Sequence, residues 1–149
     1  MINEYFMQQA LDEALRSSRR GEVPVGAVVI REDKILSRGH NLLISKKDPT
    51  AHAEIVAIRR ACRKVKSSRL PDCDLYVTLE PCAMCLGALV QARIRRLVYG
   101  ALDPKSGAVQ SIMNFSFEKT NHRLEIRGGV MAEECSKVLK EFFQEKRER

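Results

Sequence analysis

Phe6, Met7, Ala10, Leu11, Ala14 and Leu15 recur at the spacing of one helical face, which predicts a helix over residues 3–20 that Gly21 ends. The period then changes. Residues 23–30 are β-branched and apolar on both faces, as in a strand buried between two layers. Residues 34–41 follow the polar Arg31-Glu32-Asp33 turn and complete a hairpin. Asp48-Pro49-Thr50 signals a helix start, and residues 53–64 carry Val56, Ile58, Ala61 and Cys62 as mostly inward positions. Residues 74–79 read as a strand, Pro81 opens a helix over 81–93, and 96–101 form another strand. Past the loop Asp103-Pro104-Lys105-Ser106-Gly107 lies an irregular stretch with Phe115 and Phe117, then a short strand over 124–127. The final helix, 131–146, sets Met131, Cys135, Val138, Leu139 and Phe142 on one stripe. Strands alternating with helices predict a layered α/β fold, and neither repeat nor linker divides it, so residues 1–149 are expected to form one domain.

Composition narrows the class. A hydrophobic share of 44% beside 30% charged residues is that of a globular chain, not a disordered one. No apolar run approaches the ~20 residues that span a bilayer, and Met1-Ile2-Asn3-Glu4-Tyr5 offers no charged region ahead of an apolar one. Five cysteines, an odd number with no export signal, read as reduced thiols and metal ligands, so a cytoplasmic location is expected. The net charge of +7 favours a polyanionic partner. Its densest stretch is Arg59, Arg60, Arg63, Lys64, Lys66 and Arg69, which also suits a solvated helix face. Aromatics are 5%, so stacking on bases would fall to a few Phe and Tyr residues.

The chemistry concentrates in two short words, His52-Ala53-Glu54 and Pro81-Cys82-Ala83-Met84-Cys85. They supply an imidazole and two thiols, a donor set suited to zinc, with no obvious fourth ligand. Three protein ligands leave a position for water, as in catalytic rather than structural zinc sites. Cys82 and Cys85 are three apart and share a helical face, whereas His52 and Glu54 are two apart and do not. The metal is therefore expected off the N-termini of both helices, with Glu54 reaching past the first turn. A carboxyl group there can carry protons first as base and then as acid, so hydrolytic deamination suits these residues best. A Cys-x-x-Cys redox pair would leave His52 unexplained. A structural zinc module would need a fourth ligand from His40, His122, Cys62 or Cys73. Cys62, Cys73 and Cys135 read as core thiols, and His40 and His122 as hydrogen-bonding residues.

Val23-Pro24-Val25-Gly26-Ala27, Asp48-Pro49-Thr50-Ala51-His52-Ala53-Glu54, Thr78-Leu79-Glu80-Pro81-Cys82-Ala83-Met84-Cys85 and Asn121-His122-Arg123 together resemble the bacterial tRNA-specific adenosine deaminases, in order and over nearly the whole chain. The resemblance implies a three-layer α/β/α, cytidine-deaminase-like fold with a central mixed sheet of about five strands. It also implies a homodimer, one zinc ion per subunit held by His52, Cys82 and Cys85, and Glu54 as proton shuttle. The reaction it implies converts the wobble adenosine of a tRNA anticodon stem-loop to inosine. By position, Asn41 matches the residue that holds the nucleoside and Val25 a side chain lining the base pocket. Asp103, Lys105 and Ser106 match the loop beside the flanking nucleotides, and the terminal helix with Phe142 and Phe143 an outer RNA contact. A deaminase of free guanine or cytidine, or a non-catalytic zinc-stabilised RNA-binding module, are the other readings. Two departures stand out. Ala108-Val109-Gln110-Ser111 replaces a small, glycine-containing segment, which predicts a differently shaped loop, and acids among the bases of residues 144–149 predict a weaker RNA contact.

Overall fold

The computed structural model describes residues 1–148. Among the described residues, one five-stranded sheet forms in the order β2-β1-β3-β4-β5. The elements run α1 (Glu4–Arg19), β1 (Gly26–Arg31), β2 (Lys34–His40), α2 (Leu43–Lys46), α3 (Ala53–Val65), β3 (Cys73–Leu79), α4 (Ala83–Gln91), β4 (Arg96–Ala101), β5 (Glu125–Arg127) and α5 (Ala132–Glu148). β1 pairs antiparallel with β2 and β3, with Ala27 opposite Val77, while β3, β4 and β5 run parallel, with Val77 opposite Tyr99. The sheet is therefore mixed, as expected.

Alternation along the strands builds the layers. Val29, Leu75, Val77 and Leu97 point to one face, where Ala57 and Ala61 of α3 and Leu86 and Leu89 of α4 cover them. Val28, Ile30, Tyr76 and Val98 point to the other, against Phe6, Met7, Ala10 and Leu11 of α1 and Cys135 of α5. β1 is buried on both sides, as its two apolar faces predicted. Gly26 lets it run directly against α1, because a Cβ there would strike the Ala10 carbonyl.

Most boundaries fall within two residues of the sequence reading, and the differences with a clear physical cause are at β1, at the start of α4 and at α2. The first strand starts at Gly26, not residue 23, because Pro24 has no N–H for the ladder and Val25 N–H turns back to the Val23 carbonyl at 2.9 Å. The fourth helix begins at Ala83, not Pro81. Glu80 N–H bonds the Ala101 carbonyl at 2.8 Å and the Pro81 carbonyl accepts from Ala108 N–H at 2.9 Å, so residues 80–81 stay extended beyond the end of β3 instead of entering the helix. The four-residue α2 was not foreseen. Glu22 holds its start, accepting from Ile44 N–H, Ser45 N–H and Ser45 Oγ at 3.1, 2.8 and 2.9 Å. No helix is long and apolar enough to cross a membrane among the described residues.

Candidate active site

Helix starts deliver the candidate ligands. His52 is the N-cap of α3 and Cys82 the N-cap of α4, in extended conformations and without side-chain capping bonds, while Cys85 lies in the first turn of α4. α4 crosses from β3 to its parallel neighbour β4, so these ends gather beyond the carboxyl ends of the strands, the usual place for a site in such sheets. Both thiols and both helix N-termini thus converge, as the spacing required.

Nδ1 of His52 lies 3.7 Å from Cys82 Sγ and 3.6 Å from Cys85 Sγ. Zinc bonds of ordinary length at tetrahedral angles set a nitrogen and a sulfur about 3.6 Å apart, so both nitrogen–sulfur separations suit one zinc ion. His40 and His122 are engaged elsewhere, with Glu13 at 3.0 Å and the Ile94 carbonyl at 2.7 Å. Cys73 and Cys135 are core thiols and Cys62 is half-buried on α3. The cluster among the described residues therefore stops at three donors.

Glu54 lies beside it, 4% exposed. Burial is the main cause that lifts its carboxyl to about 7, near the operating range of a general acid–base. Hydrogen bonding from the Cys85 thiol, helped by His52, brings Cys82 down to about 4 even against burial. Cys85 is pushed up by that same bond and by burial. A bound divalent ion would deprotonate both thiols outright.

The site opens on a cavity of about 200 Å³ lined by Val23, Val25, Asn41, Glu54, Asp103 and Ser106, among others. Val25, Asn41, Asp103 and Ser106 are therefore brought together with the metal cluster and Glu54. Asn41 also ties the walls, accepting from Ala53 N–H at 2.9 Å and donating to the Val23 carbonyl at 3.0 Å. Asp103 accepts from Lys105 and Ser106 N–H at 3.0 and 3.2 Å, which shapes the turn. Lys105 lies outside the cavity, in an adjoining groove of about 670 Å³ with Lys140, Phe143 and Arg147. That groove shares Val23, Leu79, Asp103 and Ser106 with the cavity. Phe142 turns inward at 7% exposure and Phe143 outward at 44%, so Phe143 alone of the pair offers a contact surface. Arg149 of the C-terminal segment lies outside the described residues.

Val23, Leu79 and Glu80 also line the cavity without a site role from the sequence, and of these only Glu80 is charged. Glu80 is buried. Burial would raise its carboxyl, but bonds from Gln110, Ser111 and Asp103 outweigh that and hold it below the usual carboxylate value. The only signal was its place next to Pro81-Cys82. The six basic residues of 59–69 are all exposed, with Arg59 3.5 Å from Asp48.

Residues 1–147 match the MafB19-like deaminase family. The chain is 49% identical to the tRNA-specific adenosine deaminase of Aquifex aeolicus, over 99% of this chain and 97% of that one. It is 49% identical to the Haemophilus influenzae protein of that name, over 99% and 86%. A solved structure from studies of A-to-I editing by tRNA:A34 deaminases at the wobble position of transfer RNA superposes at TM-score 0.88, with 46% identity over 92% of this chain and 100% of that one. A guanine deaminase from Bacillus subtilis superposes at 0.65, with 33% identity over 77% and 84%. An open three-donor cluster with a buried glutamate beside it, and near-complete likeness to these relatives, place the chain in the MafB19-like deaminase family, among the tRNA-specific adenosine deaminases.

Proposed function

We propose that this protein hydrolyses the wobble adenosine of a tRNA anticodon stem-loop to inosine, releasing ammonia. The observation that carries the reading is Glu54, buried beside a three-donor cluster with no fourth protein ligand among the described residues, at one wall of a cavity of about 200 Å³. Zinc, one ion per subunit, fits His52, Cys82 and Cys85, and it would supply a nucleophile near pH ~7 by acidifying water. Glu54 is the group that would take a proton from the attacking water and return it to the purine ring nitrogen. It then carries the second proton to the departing amino group, so one water enters and one ammonia leaves. Asn41 and Val25 hold the nucleoside. Asp103, Lys105 and Ser106 meet the flanking nucleotides, and the Lys105, Lys140, Phe143 and Arg147 groove takes RNA beyond them. An anticodon loop is single-stranded, so a base can enter the cavity at modest unstacking cost.

Exposed Met84, Ile112 and Met113 suit association of two copies, in keeping with the homodimer the family implies. Sedimentation showing only a 16.9 kDa species at working concentration would remove that part. A cytoplasmic location follows from the substrate. The guanine deaminase likeness keeps a free-base enzyme as the second reading. Mass spectrometry of tRNA bearing a wobble adenosine, with free adenosine, guanine and cytidine in parallel, separates them. Inosine in tRNA that declines with added salt is expected; turnover of a free compound alone overturns the RNA reading.

A further inference from the structure

A buried carboxylate in the cavity wall takes no part in the chemistry above. Glu80 Oε2 accepts from the N–H groups of Val109, Gln110 and Ser111 at 3.0, 2.8 and 3.1 Å. Its Oε1 accepts from Asp103 N–H at 3.0 Å and from Ser111 Oγ. The donors come from both ends of one loop, residues 103–111, so a single side chain closes it. Gly107 crosses directly over the carboxylate: a Cβ there would meet Glu80 itself and the Asp103 carbonyl. A carboxylate offers about four lone-pair sites, and here five donors fill them. No acceptor is left for a substrate proton, which separates Glu80 from Glu54. Every partner is a donor, so an amide in its place would point N–H at N–H.

We propose that Glu80 is a positioning residue for substrate selection, latching the 103–111 loop in the shape that presents Asp103, Lys105 and Ser106 to the nucleotides beside the target base. The inference rests on the RNA reading above. It also explains how Ala108-Val109-Gln110-Ser111 is accommodated. Ala108 is buried, Gln110 Oε1 accepts from Tyr99 OH at 3.0 Å, and the backbone of Val109, Gln110 and Ser111 is held by Glu80 rather than by glycine-rich freedom.

Glu80→Gln keeps the shape and removes the charge. Loop-amide exchange at Asp103, Val109, Gln110 and Ser111, read without RNA, should quicken on the order of tenfold or more. KM for a stem-loop should rise on the order of tenfold while kcat stays within about threefold, with zinc content unchanged. Ser111→Ala, which removes one donor, should move both readouts the same way by less. Unchanged exchange, or faster exchange with an unchanged KM, overturns the proposal, as does a fall in kcat accompanied by zinc loss. If Glu80→Gln does not fold, Ser111→Ala and Gly107→Ala decide it: raised KM in both sustains the latch, and unchanged KM in both removes it. A wild-type protein that makes no inosine in any stem-loop would sink the RNA reading, and the exchange arm would still decide the latch.

Discussion

Two glutamates line the cavity, one from the start of α3 and one from the end of β3, and their surroundings treat them oppositely. Glu54 is buried with few donors, and burial lifts it to about 7. Glu80 is likewise shielded from solvent contact but lies nearer the surface, so burial weighs less on it, and five donors keep its charge and hold it below the ordinary value. Low solvent exposure alone therefore does not say what a carboxylate does. Its depth and the donors aimed at it together do: a deep one with few donors can exchange protons, and a shallower one with many becomes an anchor.

Removing the metal should break the contrast most completely. Cys82→Ala and Cys85→Ala should each lose stoichiometric zinc, read by elemental analysis, and inosine formation should fall below detection. Glu54 would then have no nucleophile to serve, while exchange in the 103–111 loop stays as in the parent. Zinc retained in both variants would sink the ligand assignment. Next in size is Glu54→Ala, for which kcat should fall by ~10²–10⁴ or more. Zinc content and RNA binding, read by elemental analysis and titration, should be unchanged.

Glu22 sharpens the comparison, because it anchors α2 as Glu80 anchors the loop. Burial acts to raise its carboxyl, but bonds from Ser45 and Ile44 prevail and lower it. Glu22→Gln should cost about 1–3 kcal/mol in denaturant unfolding. The sign follows from a lowered folded-state value: the stabilisation is present above the unfolded value of about 4.3 and is lost as pH falls through the folded one. The variant should accordingly show a shallower loss of stability on acidification. The smallest effect is expected at the rim, where Phe143→Ala should weaken stem-loop binding by about 1 kcal/mol, roughly fivefold in KM.

The same contrast marks what could be read from the sequence. His52, Glu54, Cys82 and Cys85 were legible because the chemistry demands those residue types, and their two spacings forecast a site off both helix ends. The layered sheet was legible because apolar positions switch between periods of 3.6 and 2. Glu80 and Glu22 were not, since their partners are mostly backbone N–H groups, which any residue supplies. The late start of β1 has a residue-type cause in Pro24, masked by the apolar run around it, whereas that of α4 depends on backbone hydrogen bonds of Glu80 and Pro81, which carry no such signature. Phe142 and Phe143 looked alike in the sequence, and only packing separates the buried ring from the exposed one.

The helix ends carry one more consequence. Neither His52 nor Cys82 caps its helix with its side chain, and such a cap would contribute about 0.5–2 kcal/mol at each end. Asn41 ties the start of α3 through Ala53 N–H, and an ion shared by the two positions would fasten the start of α4 to it. A polypeptide made during metal scarcity would then have the start of α4 prone to fraying and open to proteases. Zinc supply would set how long each copy survives in the cell as well as whether it turns over substrate.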